Sequence, residues 1–182
     1  MNKLIVVLAG LSCVGKSTIG KTFCEKYGFD LINQQSIYRK IAKSKGYTLA
    51  RKWLADVGNE VFTQETIDAV AIEIAGKKSE QGILVDETYG TRSLDYLRSF
   101  FPDRTFVIVA VRAKQSSREQ RMEGRIGADR EAARKEMYFR DNFLIQSGIE
   151  DVLKIADINL ENKHVETCIQ ELRTYLLRYT HD

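Results

Sequence analysis

The sequence predicts an α/β protein, a three-layer sandwich in which a mostly parallel sheet of five strands is covered by helices on both faces. Three observations predict it. Short apolar segments alternate with longer helical ones along the whole chain. Each apolar segment lacks polar alternation, as befits a strand buried on both faces. The first of them runs directly into a glycine-rich turn and then a helix.

Taken in order, Lys3–Ala9 is an apolar, β-branched strand, followed by the turn and a helix from about Lys16 to Tyr27. Phe29–Asn33 is a short second strand. SIYRKIAKSKG, LARKWLADVGNEVF and QETIDAVAIEIAGKK then read as three helices broken at Gly46 and at 58–63, a helical insertion spanning about 34–80. GILVD (82–86) is a third strand, Leu94–Phe101 a helix stopped by Pro102, and RTFVIVAV (104–111) a fourth strand. Two charged helices, Lys114–Glu123 and Asp129–Gln146, are joined by GRIGA. A fifth strand at Ala156–Leu160 precedes a last helix at about 165–179. With no repeat, low-complexity segment or Pro/Ser-rich linker, residues 1–182 are expected to form one domain.

At 43% hydrophobic residues the chain can build a core without staples. Twenty-eight Lys and Arg against 25 Asp and Glu leave a charge of +3, too small to call for a nucleic-acid partner, although a nucleic-acid strand as acceptor stays open. Cys13, Cys24 and Cys168 are odd in number and far apart, which argues against a disulfide framework or a zinc site and suits a reducing cytoplasm. The opening MNKLIVVLAGLSC superficially resembles a lipoprotein export leader, but the glycine-rich segment after it marks it as a buried strand. No uncharged apolar stretch of about 18 residues occurs, so no membrane partner is expected. A monomer or a homodimer is expected.

The strongest motif is Gly10-Leu11-Ser12-Cys13-Val14-Gly15-Lys16-Ser17-Thr18, a full G-x-x-x-x-G-K-[ST] match placed between strand and helix. Such a loop is the signature of P-loop NTPases. Gly10 and Gly15 let successive N–H groups curl around a polyphosphate at the positive end of the helix, with Ser12, Cys13 and Val14 contributing backbone. Lys16 would reach the β- and γ-phosphates, and the Ser17 hydroxyl would ligate Mg2+.

Three classes of P-loop protein compete. A GTPase needs D-x-x-G and N-K-x-D, but Asn162-Lys163-His164-Val165 puts Val at the base-reading position. ILVDE (83–87) has the Walker B form of an apolar strand ending in Asp-Glu, which keeps a P-loop ATPase or nucleotide-binding module as an alternative. Under either reading Asp86 is a Mg2+-shell residue. A kinase accounts for more of the chain. Arg112, Arg118, Arg121, Arg125, Arg130, Arg134 and Arg140 crowd one region, and 118, 121 and 125 recur at helical spacing. With Gly124 and Gly127 at the turn they read as a mobile arginine-rich lid over about 118–140, with Arg121, Arg125 and Arg140 as catalytic cations beside Lys16 and Asp86. The competing reading is a charged solvated face paired to Glu119, Glu123, Glu131 and Glu136.

The order of phosphate loop, SIYRKIAKSKG, Asp86 before Thr91-Arg92-Ser93, and arginine lid resembles the nucleoside monophosphate kinases across nearly the whole chain. RSLDYLRSFFP, VIVAVRAKQSSREQRMEGR and RDNFLIQSGIEDVLKIADINLEN are similar to an archaeal-type group related to dephospho-CoA kinase and the adenylate and cytidylate kinases. The resemblance implies ATP as donor with Mg2+. It implies an acceptor site over the helical insertion, with Arg39 and Arg92 on the acceptor's phosphate, and Asn162 in the loop that holds the donor adenine. Gln35-Ser36 stands where many relatives have Gly-Asp, which puts Ser36 with the acceptor residues, and DETYGTR replaces a D-G-x-P-R turn. The small-molecule acceptor is then expected to be a nucleoside monophosphate of CMP/dCMP or AMP type. A dephospho-CoA kinase-like or other hydroxyl kinase is the alternative, because Asp86 or Glu87 could serve as a base.

Overall fold

The computed structural model describes residues 4–179, so Lys3 of the expected first strand lies outside the described residues. Five strands, β1 (Ile5–Ala9), β2 (Asp30–Ile32), β3 (Ile83–Val85), β4 (Phe106–Arg112) and β5 (Ile158–Glu161), form one sheet in the order β2-β3-β1-β4-β5. Every neighbouring pair is parallel. A parallel pair needs a crossover, and the helices supply it. They are α1 (Lys16–Tyr27), α2 (Gln34–Ser44), α3 (Ala50–Gly76), α4 (Thr91–Phe100), α5 (Gln115–Ile126), α6 (Arg130–Gln146), α7 (Ile149–Lys154) and α8 (Val165–Leu176), the last running into a 3-10 turn at Leu177–Tyr179.

Alternation along β1 divides the core into two. Ile5, Val7 and Ala9 face a layer that includes Val70 and Ile74 of α3, Leu94 of α4 and Ile149 and Val152 of α7. Val6 and Leu8 face Ile19 and Phe23 of α1 and Ile169 and Leu172 of α8. This is the expected three-layer α/β sandwich.

Departures from the expected boundaries have local causes. The two helices expected on either side of 58–63 are one path broken at Gly58 alone, whose φ of 78° and ψ of 167° are open to glycine. That kink brings Trp53 and Phe62 to a ring separation of 4.6 Å. β5 starts at Ile158 because Asp157 spends its side chain on the ladder, accepting from the Ile108 N–H at 2.7 Å. α7 has no counterpart in the sequence reading. One turn buries only Ile149 and Val152, too few residues to show a helical period.

Gly90 opens α4 where a Cβ would lie 2.0 Å from the Ser147 carbonyl oxygen at the α6–α7 turn. Gly90→Ala should therefore destabilise the fold by about 1–3 kcal/mol through overpacking. Gly124→Ala, which meets nothing within 4 Å inside α5, should stabilise by roughly 0.5–1 kcal/mol. Denaturant midpoints of the two variants check both signs.

Candidate functional site

The glycine-rich loop leaves the carboxyl end of β1, between β3 and β4, where an open parallel sheet presents its binding crevice. Every loop carbonyl from Gly10 to Val14 accepts a side-chain hydrogen bond. Lys16 Nζ donates to Gly10 O at 2.7 Å and Leu11 O at 3.1 Å, and Arg118 Nε to Ser12 O at 2.8 Å. Arg121 Nη1 reaches Cys13 O and Val14 O at 3.1 and 3.0 Å, and Asn162 Nδ2 holds Val14 O at 2.7 Å. The N–H groups of Cys13 to Lys16, by contrast, make no hydrogen bond to another described residue. Carbonyls held by side chains and successive N–H groups left free make an anion nest on the N-terminus of α1. Gly15 completes it at φ 103°, where a Cβ would sit 2.1 Å from Asn162 Nδ2.

Asp86 follows β3 and is 1% exposed. Its carboxylate accepts from Asn33 Nδ2 at 2.8 Å and the Gln34 N–H at 3.1 Å, with the Ser17 hydroxyl also against it. Burial, then the charge of Glu87, pushes its pKa up to about 6. Glu87 reaches further into the cleft, with Oε1 3.7 Å from Lys16 Nζ. A hydroxyl and a carboxylate at the mouth of a phosphate nest fit Mg2+, which takes few protein ligands and completes its shell with water and phosphate oxygens. Among the described residues no group of three or more His, Cys, Asp or Glu could hold a metal alone, so Ser17 and Asp86 would share the ion with a ligand.

The arginine-rich segment divides by task. Arg121, Arg125 and Arg140 line the cleft, and Arg125 Nη2 touches Gln35 Oε1 at 3.3 Å from across it. Arg140 is paired to Glu136 at 2.7 Å. Arg130 and Arg134 instead close on the buried carboxylate of Glu119, each at 3.0 Å, and these bonds hold its pKa down to about 2. Arg118 turns beneath the loop onto Asp141, and Arg112 bonds Asn159 at 3.2 Å. Arg130 and Arg134 thus pair with Glu119 as the charged-face reading expects, while Arg121, Arg125 and Arg140 stand on the cleft.

A cleft of about 970 Å3 continues from the loop to α2, α3 and α6. Its far wall is largely apolar and includes Tyr38, Leu54, Phe62, Tyr89 and Phe143, with ring centroids of 5.5 Å for Tyr38–Phe62 and Tyr89–Phe143. Arg39 and Arg51 stand on this wall without an ion pair or hydrogen bond to another described residue. Tyr89 on this wall is almost fully buried, and its hydroxyl faces the side chain of Gln34, which is buried behind the cleft lining. Burial and the Glu87 charge hold the Tyr89 phenol well above its ordinary pKa, so it stays a donor.

Other expected site residues fall elsewhere. Ser36 is exposed, its N–H bonded at 2.6 Å to the Asn33 cap, and it does not line the cleft. Arg92 is exposed on the first turn of α4, also outside the cleft lining. Asn162 is buried behind the loop as a brace. Sequence reasoning missed Asp141, which is 129 residues from its loop partner and carries no local signal. It also missed Arg51, one of several exposed basic residues on an insertion helix.

Fold and loop together define a protein of the P-loop NTPase fold. The chain belongs to the AAA domain family, whose pattern matches residues 9–138, and to the UPF0200 proteins. It is 30% identical over 167 residues to a UPF0200 protein of Thermococcus kodakarensis, covering 87% of this chain and 88% of that one. Shikimate kinase from Aquifex aeolicus superposes with a TM-score of 0.60 at 15% identity, over 97% of this chain and 98% of that one. A gluconokinase from Sinorhizobium meliloti gives 0.57 at 16% identity, over 97% of each. At these identities the two solved structures establish a shared fold.

A divalent ion at Asp86 must displace the proton that burial favours. Below pH 6 its affinity in the presence of nucleotide should fall by about tenfold per pH unit, and above pH 7 it should level off. Mn2+ titrations at stepped pH measure this, and a flat profile from pH 5 to 7 would place the ion elsewhere.

Proposed function

We propose that the chain is an ATP·Mg2+-dependent phosphotransferase whose acceptor is a hydroxyl group on a small anionic molecule. The observation that carries the reading is Glu87, a carboxylate inside the cleft, 3.7 Å from the lysine of the phosphate nest. Asp86 is poorly placed for proton transfer, because Asn33 and Gln34 occupy its oxygens and it faces Ser17. Glu87 has one ion pair and stands between the donor nest and the acceptor wall. In the proposed step the acceptor oxygen attacks the γ-phosphorus, its proton passes to Glu87, and the bond to the β–γ bridging oxygen breaks to release ADP. Lys16 and the lid arginines Arg121, Arg125 and Arg140 would neutralise the charge on the transferring group. Bound Mg2+ would screen the β- and γ-oxygens from Ser17 and Asp86.

Arg39 and Arg51 support an anionic acceptor, since unpaired guanidinium groups on an apolar wall suit a phosphate or carboxylate. The same pair favours a second reading, a nucleoside monophosphate that accepts on its own phosphate and needs no base. Residues of about 34–80 would form the acceptor wall and about 118–140 the lid of a single domain spanning 1–182. Among the described residues no helix is long and apolar enough to cross a membrane.

ADP release should be measured with ATP·Mg2+ and phosphorylated sugars, nucleosides, dephospho-CoA, nucleoside monophosphates or water alone. Turnover is expected with a hydroxyl acceptor. Glu87→Gln should then lower kcat about 10²–10⁴-fold with little change in ATP affinity, and Lys16→Ala should abolish transfer. Full activity of Glu87→Gln on a monophosphate would hand the assignment to the second reading, and release with water alone would make the protein an ATPase.

A further inference from the structure

Ser12 is gripped through both of its backbone groups, its N–H and its carbonyl, by a pair of charges that do not face the cleft. Asp141 Oδ1 on α6 accepts from the Ser12 N–H at 2.9 Å, and Arg118 Nε on α5 donates to the Ser12 carbonyl at 2.8 Å. An ion pair between Arg118 Nη2 and Asp141 Oδ2 closes the ring. The two side chains are 9% and 13% exposed, and neither lines the cleft.

The next residue explains why a loop peptide would need such a grip. Cys13 stands at φ +60°, the one described residue other than glycine in the left-handed region. A side chain is strained there, and the conformation persists only where its surroundings over-determine it. It cannot be dispensed with, because this turn aims the N–H groups of Cys13 to Lys16 at a common point.

The remaining grips on the loop differ in permanence. Lys16 and Arg121 line the cleft and hold four of the loop carbonyls with the same cationic atoms that a bound polyphosphate would attract. Once they turn to a ligand, the loop keeps only the Arg118–Asp141 ring at Ser12 and Asn162 at Val14. Asn162 lies beyond the strained residue, whereas the ring lies immediately before it.

We propose that Arg118 and Asp141 are positioning residues for the donor site. They fix the two peptide groups that flank Ser12, and through the second of them the left-handed turn at Cys13, so that the phosphate nest is formed before nucleotide arrives and survives the departure of Lys16. α6 also carries Arg140, Asn142 and Phe143 on the cleft, so the same pair holds the lid base in register with the loop. The inference rests on the loop's being a nucleotide-phosphate site and is independent of the acceptor.

The test compares the wild-type chain with Lys16→Ala, Asp141→Ala, Asp141→Asn, Arg118→Lys and Asp141→Asn/Cys13→Gly. Two quantities are read: the equilibrium Kd for ATP·Mg2+, and amide hydrogen exchange of the nucleotide-free protein. Asp141→Ala is expected to weaken ATP about tenfold and to speed exchange at Ser12 to Lys16 more than along α6. Asp141→Asn keeps an acceptor for the Ser12 N–H without the ion pair and should fall between, which keeps the test usable if the alanine variant does not fold. Arg118→Lys should weaken ATP comparably, because an ammonium cannot bond Ser12 and Asp141 with a fixed fork. Glycine at 13 adopts φ +60° without strain and should return part of the affinity lost in Asp141→Asn. If the wild type binds ATP and Lys16→Ala does not, yet the Asp141 and Arg118 variants bind as the wild type does, the pair merely fastens α5 to α6 and the proposal fails. It fails equally if affinity drops but glycine at 13 recovers none of it. If the wild type itself binds no ATP, the phosphate-site reading falls and takes the inference with it.

Discussion

Five consecutive loop carbonyls, each held by a side chain, are the constraint on which this molecule is built. A polypeptide can offer converging N–H groups to an anion only if the carbonyls of the same peptides are satisfied elsewhere, since each unmade buried bond costs about 1–3 kcal/mol. Here that requirement is met from three parts of the chain, two of them distant in sequence. Lys16 comes from α1, Arg118 and Arg121 from α5, and Asn162 from the loop after β5. The sheet order sets the distances, because β4 pairs with β1 on one side and β5 on the other. The Asn162 N–H bonded to Arg112 O at 2.7 Å locks the β5 exit beside the loop.

The arginine-rich hairpin follows the same economy. α5 and α6 share a small core of Met122, Ala133 and Met137, with Cys13 of the loop packed against it. So few apolar contacts hold a helix pair weakly, and segments of that kind open at low cost. Glu119 compensates by drawing Arg130 and Arg134 inward, at the expense of their service to a ligand. Because its folded pKa is depressed to about 2, this clasp is fully present above about pH 4.5 and is lost as pH falls toward 2. Charge is thus divided between arginines that build the hairpin and arginines that it presents. A count of cationic residues in the sequence cannot make that division.

What was legible in the sequence was whatever local chemistry dictates. α1 begins and ends where the motif and Gly28 put it, because glycine at 15 and a left-handed C-cap at 28 are backbone requirements written in single residues. β1, β3 and β4 were legible because burial on both faces leaves continuous apolar runs. Lys16, Ser17 and Asp86 were nameable because each follows a strand at the sheet's carboxyl edge, where the topology brings them together. Illegible were contacts between partners far apart in sequence. Asp141 reads as one more acid in a charged helix, and nothing near it announces the Ser12 peptide. Arg39, Arg51 and Arg92 look alike in the sequence, yet the first two stand on the cleft wall and the third lies on the outside of α4.

The shape of the cleft bears on why transfer rather than hydrolysis is the proposed chemistry. A carboxylate 3.7 Å from the nest lysine would activate water as readily as an acceptor hydroxyl, so the protein's selectivity has to come from what occupies the space beyond it. That space is walled by Phe62, Tyr89, Phe143 and Leu54, surfaces that hold water poorly. An acceptor with a flat or apolar body against those rings and an anionic group for Arg39 and Arg51 would fill the recess and exclude water from Glu87. Selectivity on this reading comes from that occupancy, because a molecule without the anionic group leaves both guanidinium groups unpaired and holds no hydroxyl in place at Glu87.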